Sequence, residues 1–134
     1  MVLLISLFIF EKKEIMPEEK PQLSPIIKEM EEKYPEMTKE FKKIMREQYE
    51  IFCKKQHDYG PFNLSVGTKC ENEEEVNLSL TGIWFRLNDK LQRLKQLVVL
   101  SKKNSVEESI QDTFSDLSVY GIIAQVITRG KWAK

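Results

Sequence analysis

The chain has 134 residues, enough for one domain that buries its own core. It is 41% hydrophobic and 31% charged, with Lys plus Arg and Asp plus Glu balanced at 21 each. A net charge of zero supplies no long-range basic field, so a duplex nucleic-acid partner is not expected. The five glycines and five prolines suit long helices. Cys53 and Cys70 form no C-x-x-C pair, and one histidine is too few for a zinc site of the Cys/His type. Two free thiols in a reducing cytoplasm are expected, so the predicted localisation is cytoplasmic.

Residues 1–10, MVLLISLFIF, are almost wholly apolar. A bilayer span needs about 20 such residues, so no membrane span is predicted. The run lacks a basic region ahead of it and a small-x-small cleavage site after it, which argues against a signal peptide. An apolar tail left in water is an aggregation hazard, so this one is expected to pack on the domain or across a subunit interface. Alternatively, Met16 is a second start and the tail is dispensable. Residues 11–35 carry four prolines and read as a linker with one short helix, about Pro25 to Lys33, with Ser24 at its N-cap. Residues 1–35 are therefore an N-terminal extension and linker, and 36–134 the helical domain.

From Glu36 the helical period is clear: Met37, Phe41, Ile44, Met45, Gln48, Phe52 and Gln56 share one face. Thr38 can cap this helix, and Gly60-Pro61 ends it after about His57. Residues 61–75 read as a loop. The acidic run Glu71, Glu73, Glu74 and Glu75 favours the positive end of the next helix dipole, which is reason enough for its presence.

The next helix is predicted from about Val76 to Lys102. Leu80, Trp84, Leu87, Leu91, Leu94 and Val98 alternate four and three apart as a heptad seam, so Trp84 and Phe85 are expected in the core. Arg86, Asp89 and Arg93 fall on the opposite side, with Lys90 toward the flank. Ser105 and Glu108 read as a capping box for the last helix, which runs to about Arg129 and stops at Gly130. Its predicted core face holds Val106, Ile110, Thr113, Phe114, Leu117, Gly121 and Ala124. A second face begins with Glu108, Asp112 and Asp116 and continues through Val119, Ile123, Val126 and Ile127. Trp132 is expected to pack on a neighbouring chain.

Carboxylates one turn apart set their oxygens along one helix edge. Such an edge can hold Mg²⁺, which keeps several waters while bridging to substrate phosphates. Glu50 or Glu47 from the earlier helix can complete the shell. Arg86, Lys90 and Arg93 can meet phosphate oxygens, the arginines bidentately. A metal beside a phosphate would polarise it and activate a bound water. The competing reading is structural: Arg86–Asp89 and Asp89–Arg93 are also ordinary pairs on a solvated face, worth about 0.2–0.5 kcal/mol each. Glu108 can be a cap and nothing more.

Three segments carry a family likeness: KKQHDYG (54–60), RLNDKLQRLKQL (86–97) and ESIQDTFSDLSVYGII (108–123). In this order they resemble nucleotide modification associated domain 1, a phage and bacterial family with K-x-x-D-Y-G, R-x-x-D-K-x-x-R-L and E-S-x-x-D-T-x-x-D-L-x-x-Y elements. The resemblance implies an all-α bundle of three to four main helices, linked to nucleotide metabolism or base modification. More distantly the chain is similar to the MazG-like pyrophosphohydrolases. By that likeness Glu50, Glu108, Asp112 and Asp116 would be metal ligands, with Glu50, Asp112 and Asp116 catalytic. Arg86, Lys90 and Arg93 would hold phosphates, Asp89 would sit among them, and His57, Asp58, Tyr59 and Tyr120 would line the base or sugar pocket. The paired E-x-x-E of the MazG-like proteins is met here only by Glu47 and Glu50, and the second acidic helix supplies Asp89 alone. Three functions are expected to compete: Mg²⁺-dependent cleavage of a nucleoside triphosphate, a non-catalytic sponge for a (signalling) nucleotide in counter-defence, and a structural helical assembly. A homo-oligomer is expected in each.

Overall fold

The computed structural model describes residues 24–134, and the expectations for the apolar tail lie outside them. The fold is all-α, with no strand among the described residues. Four helices follow in order: α1 (Pro25–Lys33), α2 (Pro35–Tyr59), α3 (Glu73–Leu94) and α4 (Ile110–Thr128). A 3₁₀ turn, Pro61–Asn63, follows α2, and a π turn, Lys95–Val99, follows α3. No helix among the described residues is long and apolar enough to cross a membrane.

The described residues divide into two units, 24–39 and 40–134. In the first, Ser24 and Pro25 open α1 as predicted. The Ser24 side chain accepts no cap hydrogen bond; its carbonyl accepts from Ile27 and Lys28 N–H at 2.9 and 3.2 Å. Pro35 then starts α2 one residue before the predicted boundary, as suits a residue without an N–H. Thr38 is not the cap: it sits inside the first turn, and its hydroxyl donates back to the Tyr34 carbonyl at 3.0 Å.

In the second unit α3 and α4 pack on each other. Ile83, Ile123, Ile127, Leu64, Cys70 and Trp132 form the core, flanked by Phe52, Val76, Leu80, Leu87, Val119, Tyr120, Ala124 and Val126. The seam on α3 is therefore Val76, Leu80, Ile83 and Leu87. Trp84 and Phe85 are 57% and 59% exposed and stack edge-on against each other with ring centroids 5.1 Å apart. Four-and-three spacing fits either of the neighbours Ile83 and Trp84; only the partner helix decides which turns inward. Likewise Val106 and Phe114 lie outside the core, while the two faces read on α4 merge into one, with Thr113, Ile123 and Ile127 buried. Trp132 does not wait for a second chain. It is buried in its own, donating from Nε1 to the Pro61 carbonyl at 3.1 Å and meeting Phe52 edge-on. Cys53 and Cys70 are free thiols, the first exposed and the second buried.

Both loops are pinned by side chains. Ser79, fully buried on α3, donates to the Ser65 carbonyl at 3.0 Å, and Asn72 caps α3 by accepting from Glu75 N–H at 3.0 Å. Glu73, Glu74 and Glu75 thus occupy the first turn of α3, where the dipole argument places carboxylates. The α3 helix ends at Leu94, earlier than the predicted Lys102, and the π turn releases the chain toward Ser101 at φ 51.

The α4 cap is Ser109, four residues beyond the predicted Ser105. The Asp112 amide donates to Ser109 Oγ at 3.0 Å, and Ser109 N–H and Oγ donate to Asp112 Oδ2 at 3.0 and 2.7 Å. Both Ser105-x-x-Glu108 and Ser109-x-x-Asp112 fit the pattern. The second wins because Glu108 is drawn across to α3. Ser109→Ala is expected to cost about 1 kcal/mol in a urea melt, the usual worth of such a cap.

Candidate functional site

The acids at the start of α4 and the cations of α3 do face each other. Lys90 Nζ donates to Glu108 Oε1 at 2.6 Å and lies 2.8 Å from Asp116 Oδ2. Burial alone would push the Lys90 ammonium down. Its hydrogen bonds to Asp116 and Glu108, reinforced by their charges, hold it above its ordinary value. Arg93 reaches the same corner. It donates to the Thr113 hydroxyl, to the Glu108 and Ser109 carbonyls at 2.5 and 3.3 Å, and to Asn104 Oδ1 at 3.3 Å. Its Nε is 3.9 Å from Glu108 Oε2. Arg93 is thus a strap that ties the 101–109 loop to α3, with its guanidinium consumed by the chain itself. Arg93→Ala is expected to lower stability by about 1.5 kcal/mol, as for a lost charged donor, while leaving ligand affinity unchanged. A thermal melt beside a binding titration checks both halves.

The carboxylates proposed for a metal do not gather. Asp112 is spent on the cap, and its hydrogen bonds from the Ser109 side chain and backbone hold its carboxyl below the usual range. Glu50 lies on the outer face of α2, 2.6 Å from Lys54, whose hydrogen bond and charge lower its pKa. Glu108 and Asp116 share Lys90. Among the described residues, no three of His, Cys, Asp and Glu come together as a metal site. Of the four carboxylates, only Glu108 and Asp116 come together, and both face Lys90; a pair of carboxylates holds Mg²⁺ only alongside waters and substrate phosphates.

Beside this corner lies a cavity of about 250 Å³ within the second unit. Its walls come from the C-terminal half of α2, the turn at Gly60–Leu64, Arg86 of α3, and α4 from Ser115 to Ile123. The Gly60 turn takes φ 73 and ψ 159, a conformation open essentially to glycine, and it swings the chain from α2 into the 3₁₀ turn. Phe52, Val119 and Ile123 give the cavity an apolar wall, and Tyr59 and Tyr120 line it too, Tyr59 at the exposed rim. Lys55, Arg86 and Asp116 supply charge. Lys55 Nζ stands 3.6 Å from Asp116 Oδ1, so that carboxylate already faces two ammoniums. Arg86 is different. It is half-buried on the cavity wall and makes no ion pair or hydrogen bond among the described residues.

A second unmet group is close by. Gln56 lines the cavity, and its Oε1 is shut off from solvent with no hydrogen-bond partner. An orphaned buried acceptor costs on the order of 1–3 kcal/mol, so it calls for a donor.

Of the residues singled out in the sequence, Tyr59, Arg86, Asp116 and Tyr120 meet at this cavity. His57 and Asp58 do not line it; they face solvent with His57 Nδ1 3.0 Å from Asp58 Oδ1. Asp89 is exposed and joins neither the cavity nor the ion pairs. Lys55 and Gln56 were the functional candidates missed. Their signal was present: Lys55 opens the K-x-x-D-Y-G element, and Gln56 is, with Gln48, one of two polar residues in line with Phe52 on a mostly apolar stripe.

Residues 55–127 match the family model for nucleotide modification associated domain 1, just over half the chain. The chain belongs to the nucleotide modification associated domain 1 family. Curated proteins gave no match, and neither did solved structures. In this nucleotide modification associated domain 1 protein the matched stretch opens at Lys55 and takes in Gln56, Tyr59, Arg86, Asp116 and Tyr120. Phe52 and Trp132 lie outside it.

Proposed function

We propose that the chain binds one nucleotide in the cavity between α2 and α4 and holds it without metal-dependent cleavage. The observation that carries this reading is Arg86, a guanidinium on the cavity wall that forms no ion pair among the described residues. A planar guanidinium is suited to bidentate contact with a phosphate group. Lys55 adds a second cation at the same cavity, and Asp116 can accept from a sugar hydroxyl. Tyr59 and Tyr120 offer ring surfaces to a base, and the unmet Gln56 carbonyl can accept from an amino or imino group on its edge. The volume, about 250 Å³, sits just below the ~300–1,000 Å³ of typical small-molecule sites, which favours one nucleotide over a linked pair.

Holding is preferred to hydrolysis because the acids are occupied: Asp112 in the cap, Glu50 with Lys54, and Glu108 and Asp116 with Lys90. A sponge for a free nucleotide, as in counter-defence, needs no more than this. The test is incubation with a panel of nucleotides with and without Mg²⁺, followed by desalting, heat denaturation and chromatography of what is released. Unchanged nucleotide released only on denaturation supports the reading. New products would replace it with an enzyme, and no retained nucleotide would leave the ion pairs as purely structural.

A further inference from the structure

The α2 helix runs for 25 residues without burying one of them. Within the second unit its stripe is partly covered at Gln48, Phe52 and Gln56. Elsewhere along the helix, Phe41 and Tyr49 are 65% and 68% exposed, and Ile44 and Met45 nearly half. Across a shallow groove of about 170 Å³, α4 adds Ile122, also half exposed. The groove is almost entirely apolar, and Ser118 Oγ, donating to Gln48 Oε1 at 2.6 Å, fixes α2 against α4 along it.

We propose that two copies of this chain pair through the α2–α4 groove, with their α2 helices antiparallel and crossing near Met45. Two features select a second copy as the occupant. The first is area. Aromatic side chains bury about 150–250 Å² when fully covered and aliphatic ones less, so these five partly exposed side chains present on the order of 500 Å² per copy. Two copies reach about 1,000 Å², the area a specific protein–protein interface should clear, and a patch of this size is at the upper end of what a free monomer surface carries. The second is charge. The cations Lys42, Lys43 and Arg46 precede the carboxylates Glu47 and Glu50 along the helix. An antiparallel pair crossing at Met45 sets Lys43 of each copy beside Glu47 of the other, twice over by symmetry, against one like-charge meeting of Glu40 with Glu50 on each side; a parallel pair sets every charge beside its own kind. The present intrahelical contacts of Lys43, 3.7 and 3.9 Å to Glu40 and Glu47, are exposed and weak enough to exchange. Pairing also buttresses the nucleotide cavity, because Phe52, Val119 and Ile123 line both it and the groove.

The experiment is sedimentation velocity on the full chain over a range of concentrations, with Phe41→Glu and Tyr49→Glu beside it. Both side chains are exposed in the single chain, so far-ultraviolet circular dichroism is expected to stay unchanged. The wild type is expected to sediment as a dimer, and each variant to raise the dimer dissociation constant at least a hundredfold. Orientation is read by disulfide cross-linking in a Cys53→Ser background. A mixture of Phe41→Cys and Tyr49→Cys chains is expected to cross-link faster than either alone. A monomer at all concentrations would overturn the proposal and leave the groove to another occupant, residues 1–10 of the same chain included. So would a dimer indifferent to both substitutions, or cross-linking fastest within each single variant.

Discussion

Arg86→Ala is expected to weaken nucleotide binding about ten- to a hundredfold while leaving the melting temperature nearly unchanged. A hydrogen bond to a charged group is worth about 1.5–3 kcal/mol, and each 1.4 kcal/mol is a factor of ten in affinity. Stability is spared because Arg86 has no partner of its own in the described residues to lose. Arg86→Lys should recover only part of the affinity, since an ammonium keeps the charge but not the planar fork. Isothermal titration with one nucleotide across the three proteins gives the ranking wild type, lysine, alanine. Equal affinity in all three would remove the phosphate role assigned to Arg86. The contrast with Arg93→Ala is the sharper point: two arginines on the same helix, one expected to move binding alone and the other stability alone.

Lys90→Met is expected to produce the largest loss of stability among the charged positions, about 2–3 kcal/mol. The Lys90 side chain is 21% exposed and holds two carboxylates. Exposed pairs are worth at most about 1 kcal/mol, and breaking a fully buried one costs about 3–5. This cluster lies between, and the substitution leaves Glu108 with Arg93 Nε at 3.9 Å and Asp116 with Lys55 at 3.6 Å as their remaining, longer ion pairs. Adding Glu108→Gln to Lys90→Met should recover part of the loss, because it removes one of these weakly paired charges; a double-mutant cycle on urea midpoints measures the coupling. The pH dependence follows from the raised Lys90 value. A cation whose folded pKa exceeds its unfolded one stabilises fully below the ordinary lysine value of about 10.4 and loses that contribution as pH rises through the folded value. Wild-type stability should therefore fall above about pH 10, and Lys90→Met should flatten that limb. The lowered Asp112 carboxyl works at the other end. Its contribution is present above about pH 4 and lost as pH falls through its folded value.

Much of the fold was legible in the sequence. Pro25, Pro35, Gly60 and Gly130 each mark a helix boundary to within a residue or two, because proline and glycine act through local backbone geometry. Facing was legible only where one side of a helix is unambiguously apolar. On α3, Ile83 and Trp84 compete for the seam, and on α4 two apolar stripes run side by side, so the choice belongs to packing between helices. The opposition of α3 cations and α4 acids was also legible from the spacing of Lys90, Arg93, Glu108 and Asp116. What spacing could not show is that these charges neutralise one another. That depends on the loop between the helices, where the cap falls at Ser109 and frees Glu108 to reach Lys90. The cavity itself was only half visible, since an unpaired Arg86 and an unmet Gln56 carbonyl are defined by which neighbours they lack.

The most direct measurement is a proton–nitrogen correlation spectrum of the full chain titrated with the nucleotide it retains best. Binding between α2 and α4 should shift the amides of Gly60, Ser115 and Tyr120 and the Arg86 side-chain Nε signal, and leave Asn104 to Ser109 in place. Shifts centred instead on Lys90, Asn104 and Glu108 would put the ligand in the ion-pair corner and contradict the site described for Arg86.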